Sequence, residues 1–167
     1  MIALGLTGAY VHVIPNLELV TLAAFASGVL LGSRDGAVVA AITELLYSLL
    51  NPYGVAPPLV TAAQVLGMAL VGVAGGLRWA WEVRPLVVRG VLLGVAGALL
   101  TAVFDLLTNT ATGLVFGQMK VWILGGIPFS LVHIGWNAAV FASLGPAVVA
   151  VLARYRARLS YSPASSA

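Results

Sequence analysis

The sequence predicts an all-α membrane protein: six transmembrane helices in one compact bundle with an outward-facing polar cavity. Three observations carry this. The 167 residues are 61% hydrophobic and 8% charged, against about a quarter charged in a soluble domain, and mean hydropathy is +1.07. The apolar runs are close to the ~20 residues a membrane-spanning helix needs. The few polar residues are partitioned, with arginines in short patches and acids, amides and histidines toward the opposite ends of the apolar runs. The length fits one transmembrane domain over residues 1–155. A Ser- and Arg-containing cytoplasmic tail, 156–167, is expected to be disordered. There is no room for an attached soluble enzyme or ATPase.

The elements follow in order. Met1–Val13 is read as a retained first helix, because Met1-Ile2-Ala3-Leu4 lacks the basic start of a signal peptide. At ~1.5 Å per residue it reaches only ~20 Å, so either the start lies upstream or the helix crosses incompletely. Pro15 and Asn16 break it, and Leu17–Gly32 is the second helix. Ser33-Arg34-Asp35 reads as a tight polar turn and Gly36–Leu50 as the third helix. Asn51-Pro52-Tyr53-Gly54 with Pro57-Pro58 is a loop. Leu59–Leu77 is the fourth helix, Arg78 to Arg89 a connector and Gly90–Asn109 the fifth helix. Thr110–Gly125 is a mixed, partly interfacial segment. Gly126–Arg154 is the sixth helix, with Pro128 near its start.

Charge sets the orientation. Arg34, then Arg78, Arg84 and Arg89, then Arg154, Arg156 and Arg158 fall on one side of a six-span chain, and Lys120 alone falls on the other. The positive-inside rule makes the first side, with both termini, cytoplasmic. The location expected is the inner or plasma membrane of a prokaryote. The net charge of +3 sits at helix ends without interleaved aromatics, so no nucleic-acid partner is expected. With no cysteine, disulfides, thiolate nucleophiles and Cys-ligated metals are excluded.

On this topology the polar side chains gather in the outer halves. His12, Asn16 and Glu18 lie at the ends of helices one and two, with Glu18 so near Pro15 that it reads as exposed at the interface. Glu44, Tyr47, Ser48 and Asn51 follow helical spacing. Thr61 and Gln64 share a face, Asp105, Thr108 and Asn109 end helix five, and His133 and Asn137 lie four apart. The inner halves carry Ala24, Gly28 and Gly32; Gly72 and Gly76; and Gly90, Gly94 and Ala98, leading on to Thr101 and Asp105. Small residues at such spacing let helices approach closely. An ionisable group inside a membrane is a functional residue by default, yet each has a structural alternative. Glu44 could serve as an interhelical hydrogen-bonding acid, Asp105 as a helix-end residue and His133 as a core histidine. Trp79 and Trp81 read as interfacial anchors, and Trp122 and Trp136 either stack on a ligand or anchor the belt.

The run Phe25-Ala26-Ser27-Gly28-Val29-Leu30-Leu31-Gly32, then Gly36-Ala37, Glu44-Leu45-Leu46, the Asn51-Pro52 loop and Phe104-Asp105-Leu106-Leu107-Thr108-Asn109 resembles the substrate-binding S component of an energy-coupling factor transporter of the ABC type. The resemblance implies high-affinity capture of a vitamin or other micronutrient, docking on a transmembrane T protein with two ABC ATPases, and no catalysis by the chain itself. It implies a docking surface of small residues on helix one, here Ala3, Gly5 and Ala9, and a lid over Val13–Asn16. The expected substrate-binding residues are Glu44, Tyr47, Asn51, Gln64, Asp105, Asn109, Trp122, His133 and Asn137, with no metal and no cofactor. Ionised acids in the cup favour a cationic or amine-bearing heterocycle; protonated ones act only as hydrogen-bonding groups. Two other classes stay open. An intramembrane enzyme would use His133, Glu44 and Asp105 as acid/base groups in mutual contact. A structural subunit would pair every polar group with a neighbouring helix.

Overall fold

A computed structural model describes residues 1–2, 18–51, 54–82 and 84–160. Among them seven helices are found and no strand: α1 (Val20–Leu31), α2 (Ser33–Leu49), α3 (Pro58–Gly75), α4 (Arg78–Trp81), α5 (Leu86–Phe116), α6 (Met119–Ser143) and α7 (Gly145–Ser160). The helices α3, α5 and α6 are long and apolar enough to cross a membrane, and α1 is a shorter apolar helix. The described residues are therefore all-helical in their regular structure, with the composition and helix lengths that point to a membrane protein. The expected first helix, its docking residues Ala3, Gly5 and Ala9, the lid segment and His12 lie outside the described residues.

The helix α1 is the centre. Phe25 and Val29 are fully buried on it, and it packs against α2, α3, α6 and α7. The Phe25 ring meets Phe141 of α6 and Trp81 of α4 edge-on, at centroid distances of 5.2 and 5.4 Å. Edge-to-face pairs of this kind favour a fixed geometry. Trp81 is thus a core residue, with its indole N–H donating to the Ala74 carbonyl; Trp79 is the exposed one.

The helix boundaries differ from the sequence reading for local reasons. Gly32 alone turns the chain between α1 and α2, at φ 98°, a conformation open to glycine. Ser33, Arg34 and Asp35 therefore form the first turn of α2 and not a separate polar turn, with Asp35 at the favourable end of the helix dipole. The fifth helix starts at Leu86 and runs past Asn109 to Phe116, its hydroxyls turned back along it. Thr108 donates to the Phe104 carbonyl and Thr112 to the Thr108 carbonyl, so neither competes with the helix. Gly117, at φ 72°, ends α5. What read as a mixed segment over Thr110–Gly125 is thereby reduced to a tight turn, and Pro128 lies well inside α6. The expected sixth helix is divided between α6 and α7 at Leu144. Pro146 has no N–H to give the preceding turn and crowds it. The final helix continues to Ser160, so the boundary expected at 155 falls within it.

Where α1, α2 and α3 cross, their backbones touch. A Cβ on Gly28 would overlap the Gly72 carbonyl, one on Gly72 the Gly36 carbonyl, and one on Gly75 the Phe25 carbonyl. Ser27 Oγ donates to the Gly36 carbonyl at 3.0 Å and Ser33 Oγ to the Val73 carbonyl at 3.0 Å. On α5 the buried face runs Leu93, Gly97, Thr101, Asp105. Gly90 and Gly94 lie beside it, against Ala142 of α6.

Beyond the glycine crossing, two arginines converge on the end of α1. Arg78 Nε and Arg156 Nη1 both donate to the Val29 carbonyl, at 3.0 and 2.9 Å, and Arg78 Nη2 donates to Leu30. Arg156 Nη2 also lies 2.8 Å from each Glu82 carboxylate oxygen. Cations at a helix C-terminus complement its dipole and satisfy carbonyls that the helix leaves unpaired.

Candidate functional site

The opposite end of the bundle holds a cavity of about 340 Å³. The start of α1 contributes Glu18, Val20 and Thr21. The late turns of α2 add Glu44 and Tyr47, and the early turns of α3 add Gln64 and Met68. The second half of α5 supplies Phe104, Asp105, Thr108 and Asn109, and α6 supplies Phe129 and His133.

At one side lies a buried array. His133 Nδ1 is 3.0 Å from Asp105 Oδ1, and His133 Nε2 is 3.7 Å from Glu18 Oε1. One imidazole thus stands between two carboxylates. Glu18 is held further by the Thr21 N–H at 2.9 Å, the Thr21 hydroxyl, and Asn137 Nδ2 at 2.9 Å. The aromatic rings of Phe104 and Phe129 flank His133 at centroid distances of 6.4 and 5.8 Å. Two buried oxygens of this array, Asp105 Oδ2 and Asn137 Oδ1, have no hydrogen-bond partner among the described residues.

Across the cavity, Ser48 Oγ donates to Gln64 Oε1 at 3.1 Å. Glu44 is 3% exposed and faces the cavity, yet among the described residues no donor reaches its carboxyl group. A buried carboxyl in that state is rare in native proteins.

Of the residues expected to bind a solute, Glu44, Tyr47, Gln64, Asp105, Asn109 and His133 line this cavity together. Asn137, fully buried, lies behind the lining and acts through Glu18. Asn51 follows α2 in the next turn, outside the lining, and Trp122 is exposed with its ring against Phe116 at 5.6 Å. Glu18 is the residue that the sequence reading misplaced. Beyond the local bonds from Thr21, its partners His133 and Asn137 lie more than a hundred positions away, so the nearby chain does not announce a half-buried role. Among the described residues no group of three or more His, Asp or Glu is arranged to hold a metal ion.

The chain matches no family model, no curated protein and no solved structure.

Proposed function

We propose that this chain is a membrane-embedded solute-binding subunit, the S component of an energy-coupling factor importer. It would cross the membrane six times with both termini in the cytoplasm, capture a small vitamin-like solute from outside and deliver it through a T protein and two ABC ATPases. The observation that carries this reading is the cavity: titratable side chains from four separate segments, with the amide of Gln64 from a fifth, converge on one space at one end of an otherwise apolar bundle. Placing ionisable groups in a membrane interior costs roughly 2.5–3.5 kcal/mol each on insertion scales, a cost that a merely structural bundle has no reason to bear. The arginine clasp at the other end agrees with a cytoplasmic face there.

Binding is favoured over catalysis by the hydroxyls. Thr21 donates to Glu18, and Thr108 donates to the Phe104 and Asp105 carbonyls. Neither is directed at His133, so neither threonine is set up as a nucleophile for the Asp105–His133 pair.

The test is to purify the protein in mild detergent without nucleotide, release bound small molecules by denaturation and identify them by mass spectrometry. One stoichiometric compound, rebinding saturably to the emptied protein with submicromolar Kd, is expected. A preparation that releases no compound and takes up none from a vitamin panel would overturn the reading.

A further inference from the structure

We infer that the cavity takes a compact aromatic monocation whose positive nitrogen pairs with Glu44. This rests on the solute-binding reading above and names the chemical class of the solute.

The argument starts from which carboxylates are already occupied. Glu18 holds Thr21 and Asn137 and faces His133; Asp105 holds His133. These two acids share one imidazole between them. Glu44 stands apart, on a different helix, 3% exposed and without a donor among the described residues. A carboxylate removed from water needs a cation or several donors to replace its hydration. The cavity it faces is where that partner can come from.

The remaining walls define the rest of the ligand. Tyr47, Phe104 and Phe129 present aromatic rings and Met68 a thioether to the same space. Ring faces attract cations and stack on flat heterocycles. Among the described residues no arginine or lysine lines the cavity, and the histidine that does is engaged by two carboxylates, so an anionic solute would find no free counter-charge among them. About 340 Å³ is at the lower end of the ~300–1,000 Å³ usual for small-molecule sites, which limits the solute to one or two rings.

Three probes of one shape separate charge from fit: benzylamine, benzyl alcohol and benzoate, which at pH 7 are a cation, a neutral molecule and an anion. Each is titrated into detergent-solubilised protein by ligand-observed NMR, with empty micelles subtracted. Benzylamine should bind at least about tenfold tighter than benzyl alcohol, as one charge-assisted hydrogen bond provides, and benzoate should bind weakest. In Glu44→Gln the ratio of benzylamine to benzyl alcohol affinity should fall to within about twofold. In Glu44→Asp, which keeps the charge, the preference should persist. Equal binding of the amine and the alcohol by the unaltered protein, or a preference for benzoate, overturns the inference while leaving solute capture intact. An undiminished ratio in Glu44→Gln overturns the role of Glu44. Failure of all three probes to bind, together with an empty mass spectrum, removes the solute-binding reading itself.

Discussion

The two ends of this bundle are built on opposite plans. At one end Gly28, Gly36, Gly72 and Gly75 bring three helices into backbone contact, and arginines close the end of α1. At the other end the helices leave a cavity, and among the described residues Asp105 Oδ2 and Asn137 Oδ1 have no hydrogen-bond partner and Glu44 meets no donor. The difference teaches where stability and function reside. Lipid is as apolar as a leucine core, so helices in a membrane gain little from burying apolar side chains against one another, and close backbone packing has to hold them. With one end fixed in that way, the other end can keep polar groups unsatisfied.

The largest effect should come from filling the glycine crossing. In Gly75→Leu the new side chain meets the Phe25 backbone, which cannot move aside as a flexible side chain would. A loss of about 3 kcal/mol or more is expected, seen as a collapsed thermal transition in detergent. Gly125→Leu is the control, since that position has open space around it. Equal melting of the two variants would break the comparison.

His133→Ala comes next. It leaves Glu18 and Asp105 facing each other without the ring between them, and should cost about 2–3 kcal/mol through uncompensated buried acceptors. If the unfolding midpoint hardly moves, the array is not a connected unit. Arg156→Ala should cost less, about 1–2 kcal/mol. Its side chain is 26% exposed and its Glu82 partner 22%, so solvent screens the pair, and the loss falls mainly on the hydrogen bond to Val29. A double-mutant cycle with Glu82→Ala would separate the two terms. The smallest effect is expected at Glu44. With no donor among the described residues to lose, Glu44→Gln should leave the melting temperature unchanged or slightly raised, within about 1 kcal/mol. A large destabilisation there would mean that Glu44 belongs to the packed end of the comparison after all.

Local spacing made part of this design legible. Glu44 with Tyr47, and His133 with Asn137, read correctly as shared helix faces, because such pairs lie one turn apart in both chain and space. The close-packing role of Gly28, Gly72 and Gly76 could be read in the same way. Glu18 could not, since its burial depends on α6. Nor could the length of α5: Asn109 and the threonines around it look like a helix end until the Thr108 and Thr112 hydroxyls are seen to bond to the preceding turn. Trp81 and Trp79 are near neighbours of one composition, and only the position of Phe25 decides which of them enters the core.

The helix α1 has one more consequence. Its twelve residues make a rod about 18 Å long at ~1.5 Å per residue. Glu18 stands just ahead of one tip, and the Val29 carbonyl, gripped by two guanidinium groups, lies near the other. One short helix thus links the acid that faces His133 to the carbonyls that hold the two arginines, so anything that unwinds it loosens both ends of the bundle at once.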